Sequence, residues 1–249
     1  MTFARTEYYE LTAFLVYGTL FALWERWRPA HDLRRRDDWR RDALAVLVLV
    51  AALFLSRQGV RAAIEASGLA TWLATQPWRQ WPKPAQLLAA GLLIDFCLYW
   101  IHRLMHTRAF WNAHKWHHST EHLYWLSGLR TSFVHVLLFA VPQMLVAYYV
   151  FPFGLADIGM ASASGVFVQL FIHANVTLPL GPLEYIFVTP QNHRRHHALV
   201  AGIAHGNYGT TYSFWDRMFG TYVDWRKLPR NYPLGIGERG DTARMVVGV

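Results

Sequence analysis

Five long apolar runs constrain this chain more than any other feature. Tyr8 to Trp24 is nearly free of charge, and Ala43 to Leu55 is purely apolar and extends towards Val60. Ala85 to Ile101 is apolar except for Gln86 and Asp95; Phe133 to Phe151 and Leu155 to Ile172 follow, joined by Phe151-Pro152-Phe153-Gly154. Each runs roughly 17–20 residues, near the length that crosses a bilayer as a helix. In hydrocarbon every backbone N–H and C=O must find its partner within the protein, so such segments are helical. Five buried helices in a soluble protein of 249 residues would leave too little polar surface. The expected fold is therefore all-α: an integral membrane helical bundle of about four to five spans. Charged residues make up only 16% of the chain, against the usual quarter. Aromatic residues reach 16%, which suits a chain that meets membrane interfaces.

The basic residues give an orientation. Arg26, Arg28, Arg34, Arg35, Arg36, Arg40 and Arg41 all lie between the first two runs. The positive-inside rule puts that loop in the cytoplasm. Counting onward, the third run returns to the cytoplasm, and the fourth and fifth go out and come back. The chain reads as one membrane domain: an N-terminal hairpin and connector over 1–84, a catalytic region over 85–226 and a tail over 227–249. The tail is Gly-rich and weakly apolar, and is expected to pack poorly. No cleavable leader is expected, because Met1 to Glu10 lacks a basic start and no small-x-small site follows the first run.

Histidines cluster where the third and fifth runs would emerge. His102 and His106 are spaced HxxxH; His114, His117 and His118 form HxxHH; His193, His196 and His197 repeat it. On a helix the i, i+3 and i+4 positions share a face, so each cluster points its imidazoles roughly one way. Imidazole is the commonest metal ligand, and eight exceed the four to six positions of one ion. The spacing predicts two metals held between helices in a cytoplasmic helical cap. Adjacent histidines such as His117 and His118 sit about 100° apart on a helix, so one of each pair either faces a different metal from its neighbour or stands behind a ligand.

Several classes are excluded. The single Cys97 rules out a disulfide framework, a Cys-ligated zinc site and a cysteine-held iron–sulfur cluster. There is no HExxH, and carboxylates near the clusters are limited to Asp95, Glu121, Glu184 and Asp216, so a two-zinc hydrolase lacks its bridging ligands. Gly235 to Gly240 spells GxGxxG, but the nine residues after it leave no room for a dinucleotide fold. The net charge of +8 flanks apolar segments without any nucleic-acid motif, which favours anionic lipid over nucleic acid. Imidazole suits iron, copper, nickel and zinc alike, so ligand type does not select the metal. A non-catalytic membrane metal-binding or transport protein is the alternative, but the runs offer little polar lining for a path.

In these motifs the chain resembles the fatty acid hydroxylase, or sterol desaturase, superfamily of membrane di-iron oxygenases. The eight-histidine signature of that family falls on His102, His106, His114, His117, His118, His193, His196 and His197. Further likeness lies in His117-His118-Ser119-Thr120-Glu121, Ser127 to Ser132, His173-Ala174-Asn175-Val176, Gly181-Pro182-Leu183-Glu184 with Thr189-Pro190, Asn207-Tyr208-Gly209 and Trp215 to Thr221. The match runs from about Leu87 to Asp224. The resemblance implies two iron ions that use O2 and two external electrons to attack an unactivated C–H bond of a lipid. Hydroxylation or desaturation of a fatty acyl, sterol-like or other membrane lipid would result. The electrons would come from a ferredoxin or a cytochrome b5-like donor with its reductase, since the chain carries no flavin, NAD or haem domain. Lys115, Arg194, Arg195, Arg226 and Lys227 would offer such a donor a basic face. The expected location is a bacterial inner membrane, with the site on the cytoplasmic side.

Other residues carry two readings each. His173, at the end of the fifth run, is either a further ligand or a capping or hydrogen-bonding residue. His205 stands where many relatives carry an acidic residue, and is either an extra ligand or a hydrogen-bond partner of one. His122, one turn beyond His118 on a continued helix, is expected beside a ligand. Asp95 lies two turns before His102 and either orients its ring or bonds helix to helix. Asn192 either bonds a metal-bound water or caps the helix of the third motif. His135 is expected in core packing, His31 in a solvated loop, and Asp216 paired with Arg217.

Overall fold

The computed structural model describes residues 3–32, 39–199, 206–229, 232–237 and 241–249. Its regular elements are helical, with two isolated bridges, Phe187 to Tyr212 and Ala198 to Leu234. The helices are α1 (Phe3–Trp27), α2 (Trp39–Ala66), α3 (Leu69–Ala74), α4 (Lys83–Met105), α5 (Trp111–His118), α6 (Phe133–Leu145), α7 (Leu155–His173), α8 (Pro190–His196), α9 (Phe214–Met218) and α10 (Thr242–Val247). A π-helical turn, Val146–Val150, extends α6.

Four of these are long and apolar enough to cross a membrane: Arg40–Ala66, Lys83–Met105, Phe133–Val150 and Leu155–His173. Their outward faces carry large apolar side chains, with Leu47 69% and Leu88 62% exposed. That pattern requires a hydrocarbon surround, and the protein is an integral membrane protein. The first apolar run is a helix, as expected, but it is not among the four apolar enough to cross. α1 carries Arg5, Glu7, Glu10 and Glu25 and packs along α7, while α2 packs along α6.

Polar contacts fix which helix ends meet. Glu25, near the end of α1, accepts from the backbone N–H of Trp125 (2.8 Å) and of Asn175 (2.7 Å). Asp42, in the first turn of α2, takes the Arg130 guanidinium at 2.6 Å, with both side chains buried. These contacts gather the end of α1, the start of α2 and the end of α7 beside α5. At the far end of the bundle, Arg79 donates to the Tyr149 carbonyl (2.6 Å) and Lys83 pairs with Asp157 (2.7 Å).

Two expectations fail here. The tail is not loosely packed: Met245 of α10 is buried against Ala45 and Trp116, and α10 lies on α5. Pairing between such distant segments is invisible in a six-residue helix. Nor does the start of the Arg-rich loop stand free in solvent. His31 is half-buried, its N–H donates to Asn175 Oδ1 (3.2 Å), and its carbonyl accepts from Asn175 Nδ2 (2.8 Å). Asn175 thereby ties the first loop to the end of α7. Arg34, Arg35 and Arg36 lie outside the described residues.

Candidate metal centre

Each histidine motif reaches the same end of the bundle on its own element. α4 delivers His102 in its last turn and His106 at its cap. α5 ends with the second motif, so His114, His117 and His118 occupy its last two turns. α8 carries His193 and His196, and His197 caps it. All of these except half-buried His106 are almost fully buried.

The imidazoles sort into two groups. His102, His106, His114, His118 and His196 offer nitrogens that lie within 4.8 Å of one another, and so do His117, His173, His193 and His197. His173 therefore stands with the motif histidines. Adjacent residues divide: His117 from His118, and His196 from His197. Within the second group the Nε2 atoms of His117 and His173 are 3.0 Å apart, those of His173 and His193 2.9 Å, and those of His193 and His197 3.2 Å. In the first group His102 Nε2 and His114 Nε2 are 2.9 Å apart.

These contacts test whether a metal fits. His117 Nδ1 lies 3.2 Å from the Arg130 carbonyl, and His173 Nδ1 lies 2.7 Å from the Gln169 carbonyl. A carbonyl only accepts, so both Nδ1 atoms carry the proton and both Nε2 atoms present bare lone pairs. Two bare lone pairs at 3.0 Å repel unless a cation lies between them. Two imidazoles bound at right angles to one ion, each at about 2.1 Å, would stand about 3 Å apart. The donor set fits a divalent metal. Burial, followed by the neighbouring imidazoles, holds His114, His117, His118, His193, His196 and His197 well below the ordinary histidine range. They are neutral at physiological pH, the form that ligates.

Backbone carbonyls orient the rings. His102 Nδ1 donates to the Tyr208 carbonyl (2.7 Å) and His196 Nδ1 to the Gly206 carbonyl (2.8 Å). The loop that supplies them is held by two buried carboxylates. Asp216 accepts from the N–H groups of Tyr208 (2.7 Å) and Gly209 (2.8 Å). Asp95 accepts from Thr210 Oγ1 (2.6 Å), Thr211 N (2.9 Å), Tyr212 N (3.1 Å) and Trp215 Nε1 (3.1 Å). Asp95 thus bonds the loop rather than a histidine ring. Asp216 does not pair with Arg217, whose guanidinium stacks on Tyr185 and Tyr222 instead. On the other flank, Gly128 packs on His173 so closely that a Cβ there would lie 2.3 Å from the ring.

The remaining candidates resolve as follows. His122 follows the end of α5, is half-buried and joins neither group. Asn192 does not cap α8, whose N-cap is Thr189; it sits buried in the first turns, with no hydrogen-bond partner for either amide atom. Arg194 and Arg195 are buried among the site elements, Arg194 donating to the Ala174 carbonyl (2.9 Å), so neither belongs to an exposed basic face. Of the other three, Lys227 is exposed, Lys115 is half-buried, and Arg226 pairs with Glu184 (3.0 Å) and Asp224 (3.2 Å). His205 lies outside the described residues. His135, expected only to pack, instead places its Nδ1 3.3 Å from that of His114. Its position as the third residue of α6, with no histidine three or four residues away, gave no spacing signal.

A membrane bundle closed at one end by two buried histidine groups defines a class of membrane metalloprotein. The fatty acid hydroxylase family model matches residues 87–221, and the chain belongs to that family. It is 32% identical to the ornithine lipid hydroxylase OlsE of Rhizobium tropici, over 66% of this chain and 49% of that protein. It is 33% identical to the alkylglycerol monooxygenase of Xenopus tropicalis, over 57% of this chain and 32% of that one. Methylsterol monooxygenase 1 of Rattus norvegicus is 28% identical over 59% of this chain and 51% of its own length. The chain thus spans about half or less of the curated relatives it matches. No solved structure matches it significantly.

Proposed function

We propose that this protein is a membrane-bound, O2-dependent lipid hydroxylase with two iron ions at its histidine groups. The observation that carries the reading is the convergence of nine buried or half-buried histidines into two adjacent groups, at one end of a lipid-facing bundle. When bound, such a metal pair supplies the two-electron activation of O2 that an unactivated C–H bond demands. His102, His106, His114, His118 and His196 would hold one ion, and His117, His173, His193 and His197 the other. The family relatives named above are hydroxylases and monooxygenases, which supports hydroxylation over desaturation. Their names span three lipid types, so the substrate is argued only as a membrane lipid.

The protein's own part is placement and exclusion of water. Phe139 sits one turn deeper in α6 than His135, with its ring against those of His135 (4.6 Å) and His102 (6.5 Å). A lipid chain entering from the hydrocarbon would meet this ring beside the first group. Tyr208, Gly206, Arg130 and Gln169 keep the ligand rings fixed through their carbonyls, so the site needs little rearrangement on loading. The electrons come from an external ferredoxin or cytochrome b5-like donor, approaching the end that carries Lys115, Arg226 and Lys227. By the positive-inside rule that end is cytoplasmic.

The test is direct. The full chain, purified in lipid nanodiscs, is analysed for metal, and lipid extracts of cells with and without it are compared by mass spectrometry. Two irons per chain and one lipid class gaining a single oxygen are expected. Metal bound without any oxidised lipid or lipid-dependent O2 uptake would favour a metal-binding protein without catalysis.

A further inference from the structure

We infer that His135 is a positioning residue that holds His114 with its metal-facing nitrogen bare; the inference rests on the two-metal reading above. Four of the clustered histidines, His102, His117, His173 and His196, place Nδ1 at a backbone carbonyl. A carbonyl cannot donate, so those four rings have one tautomer open to them. His114 differs: its Nδ1 faces the Nδ1 of another imidazole, at 3.3 Å. Two neutral imidazoles in that contact share one proton, which sits on one ring or the other.

Its position decides whether His114 is a ligand. With the proton on His135 Nδ1, His114 Nδ1 is the acceptor and its own proton lies on Nε2. That Nε2 is 2.9 Å from His102 Nε2, which is bare because His102 donates through Nδ1 to Tyr208. In this arrangement His114 donates to His102 and cannot bind a metal. With the proton on His114 Nδ1, His135 accepts it and His114 Nε2 is free to ligate. Ligation by His114 Nε2 therefore requires His135 as acceptor, its own proton carried on Nε2. His135 is well placed to keep that orientation. It is buried, its backbone N–H is held by the Ser132 hydroxyl (3.1 Å), and its ring lies edge-on to Phe139 at 4.6 Å. Ser132 in turn donates to the Ala113 carbonyl (2.6 Å), which locks the start of α6 to α5 beside His114.

Two variants separate this role from packing. His135→Phe keeps an aromatic ring in the hollow and removes the acceptor, whereas His135→Gln restores an amide oxygen that can accept. Wild-type and variant chains in nanodiscs are titrated with Fe2+ or Co2+ against a chelator, and the ligand-field spectrum of the cobalt form is recorded. The expected result is that His135→Phe loses one of two sites, by about 10–100-fold in affinity, and the absorption of that site changes. His135→Gln should stay within about threefold of wild type at both sites, well short of that loss. Equal affinity at both sites in His135→Phe, or an equal loss in His135→Gln, would overturn the inference. A wild-type chain that binds neither metal would instead overturn the two-metal reading itself.

Discussion

His117 and His118 are adjacent in the chain, yet they face different metal groups. His117 Nε2 lies 3.0 Å from His173 Nε2, whereas His118 joins His102, His106, His114 and His196. The helical turn of about 100° per residue makes this division, and α8 repeats it with His196 and His197. One short helix thus contributes imidazoles to both groups, which fixes the spacing between them.

Single replacements should therefore remove metal selectively. His118→Ala is expected to lower the metal content from two ions per chain towards one, and His117→Ala to do the same at the other group. Activity should fall by at least about 100-fold in each, since ligand and supporting residues commonly matter at that scale. Metal analysis of the purified variants, with turnover of the lipid substrate, checks it. Two ions retained in both variants would contradict the division.

His173→Ala should match the motif histidines in severity, although it lies outside their spacing. Its group contains only four imidazoles, so one loss leaves three. Gly128→Ala should give a milder version of the same defect, because the added methyl displaces the His173 ring. Metal content and activity of the two variants, compared side by side, are the measurement. Normal metal content in His173→Ala would make that residue a structural one.

Acid should destabilise the metal-stripped protein. The histidines of α5 and α8 are held well below their ordinary value by burial first and by neighbouring imidazoles second. As pH falls below about 6.5 the unfolded chain takes up protons that the folded chain refuses. Stability is then lost progressively, from that value down towards the depressed folded values, and above it both states are neutral and nothing changes. Thermal midpoints of the apo protein should be flat from about pH 7.5 upward and fall steadily below about 6.5. A midpoint unchanged to about pH 5 would mean that the imidazoles are hydrated.

Topology gives the last test. Single cysteines at Thr107 and Leu199, in a chain with Cys97 replaced, should react only with reagents that reach the cytoplasm. A cysteine at Lys83, at the far end of α4, should react from the opposite face. Labelling of the first two from outside would invert the orientation, since a hydrocarbon core of about 30 Å separates the two ends.

The histidine motifs and the apolar runs are local patterns, and the sequence alone determined what followed from them. Periodicity and run length are enough for helices, membrane length and the facing of each histidine motif, because each depends only on neighbours along the chain. The division of His117 from His118 was likewise implied by helix geometry. Tertiary structure decided what depends on distant segments. It placed His173 beside His117, His193 and His197, and His135 behind His114. It turned Asp95 towards the Thr210–Trp215 loop, buried Arg194 and Arg195, and docked both His31 and the α10 tail at the site. None of these has a periodic signature, because each is set by which helix ends pack together. In this protein the buried pair Asp42–Arg130 and the Glu25 and Asn175 contacts, linking residues 88 to 150 positions apart, make that choice.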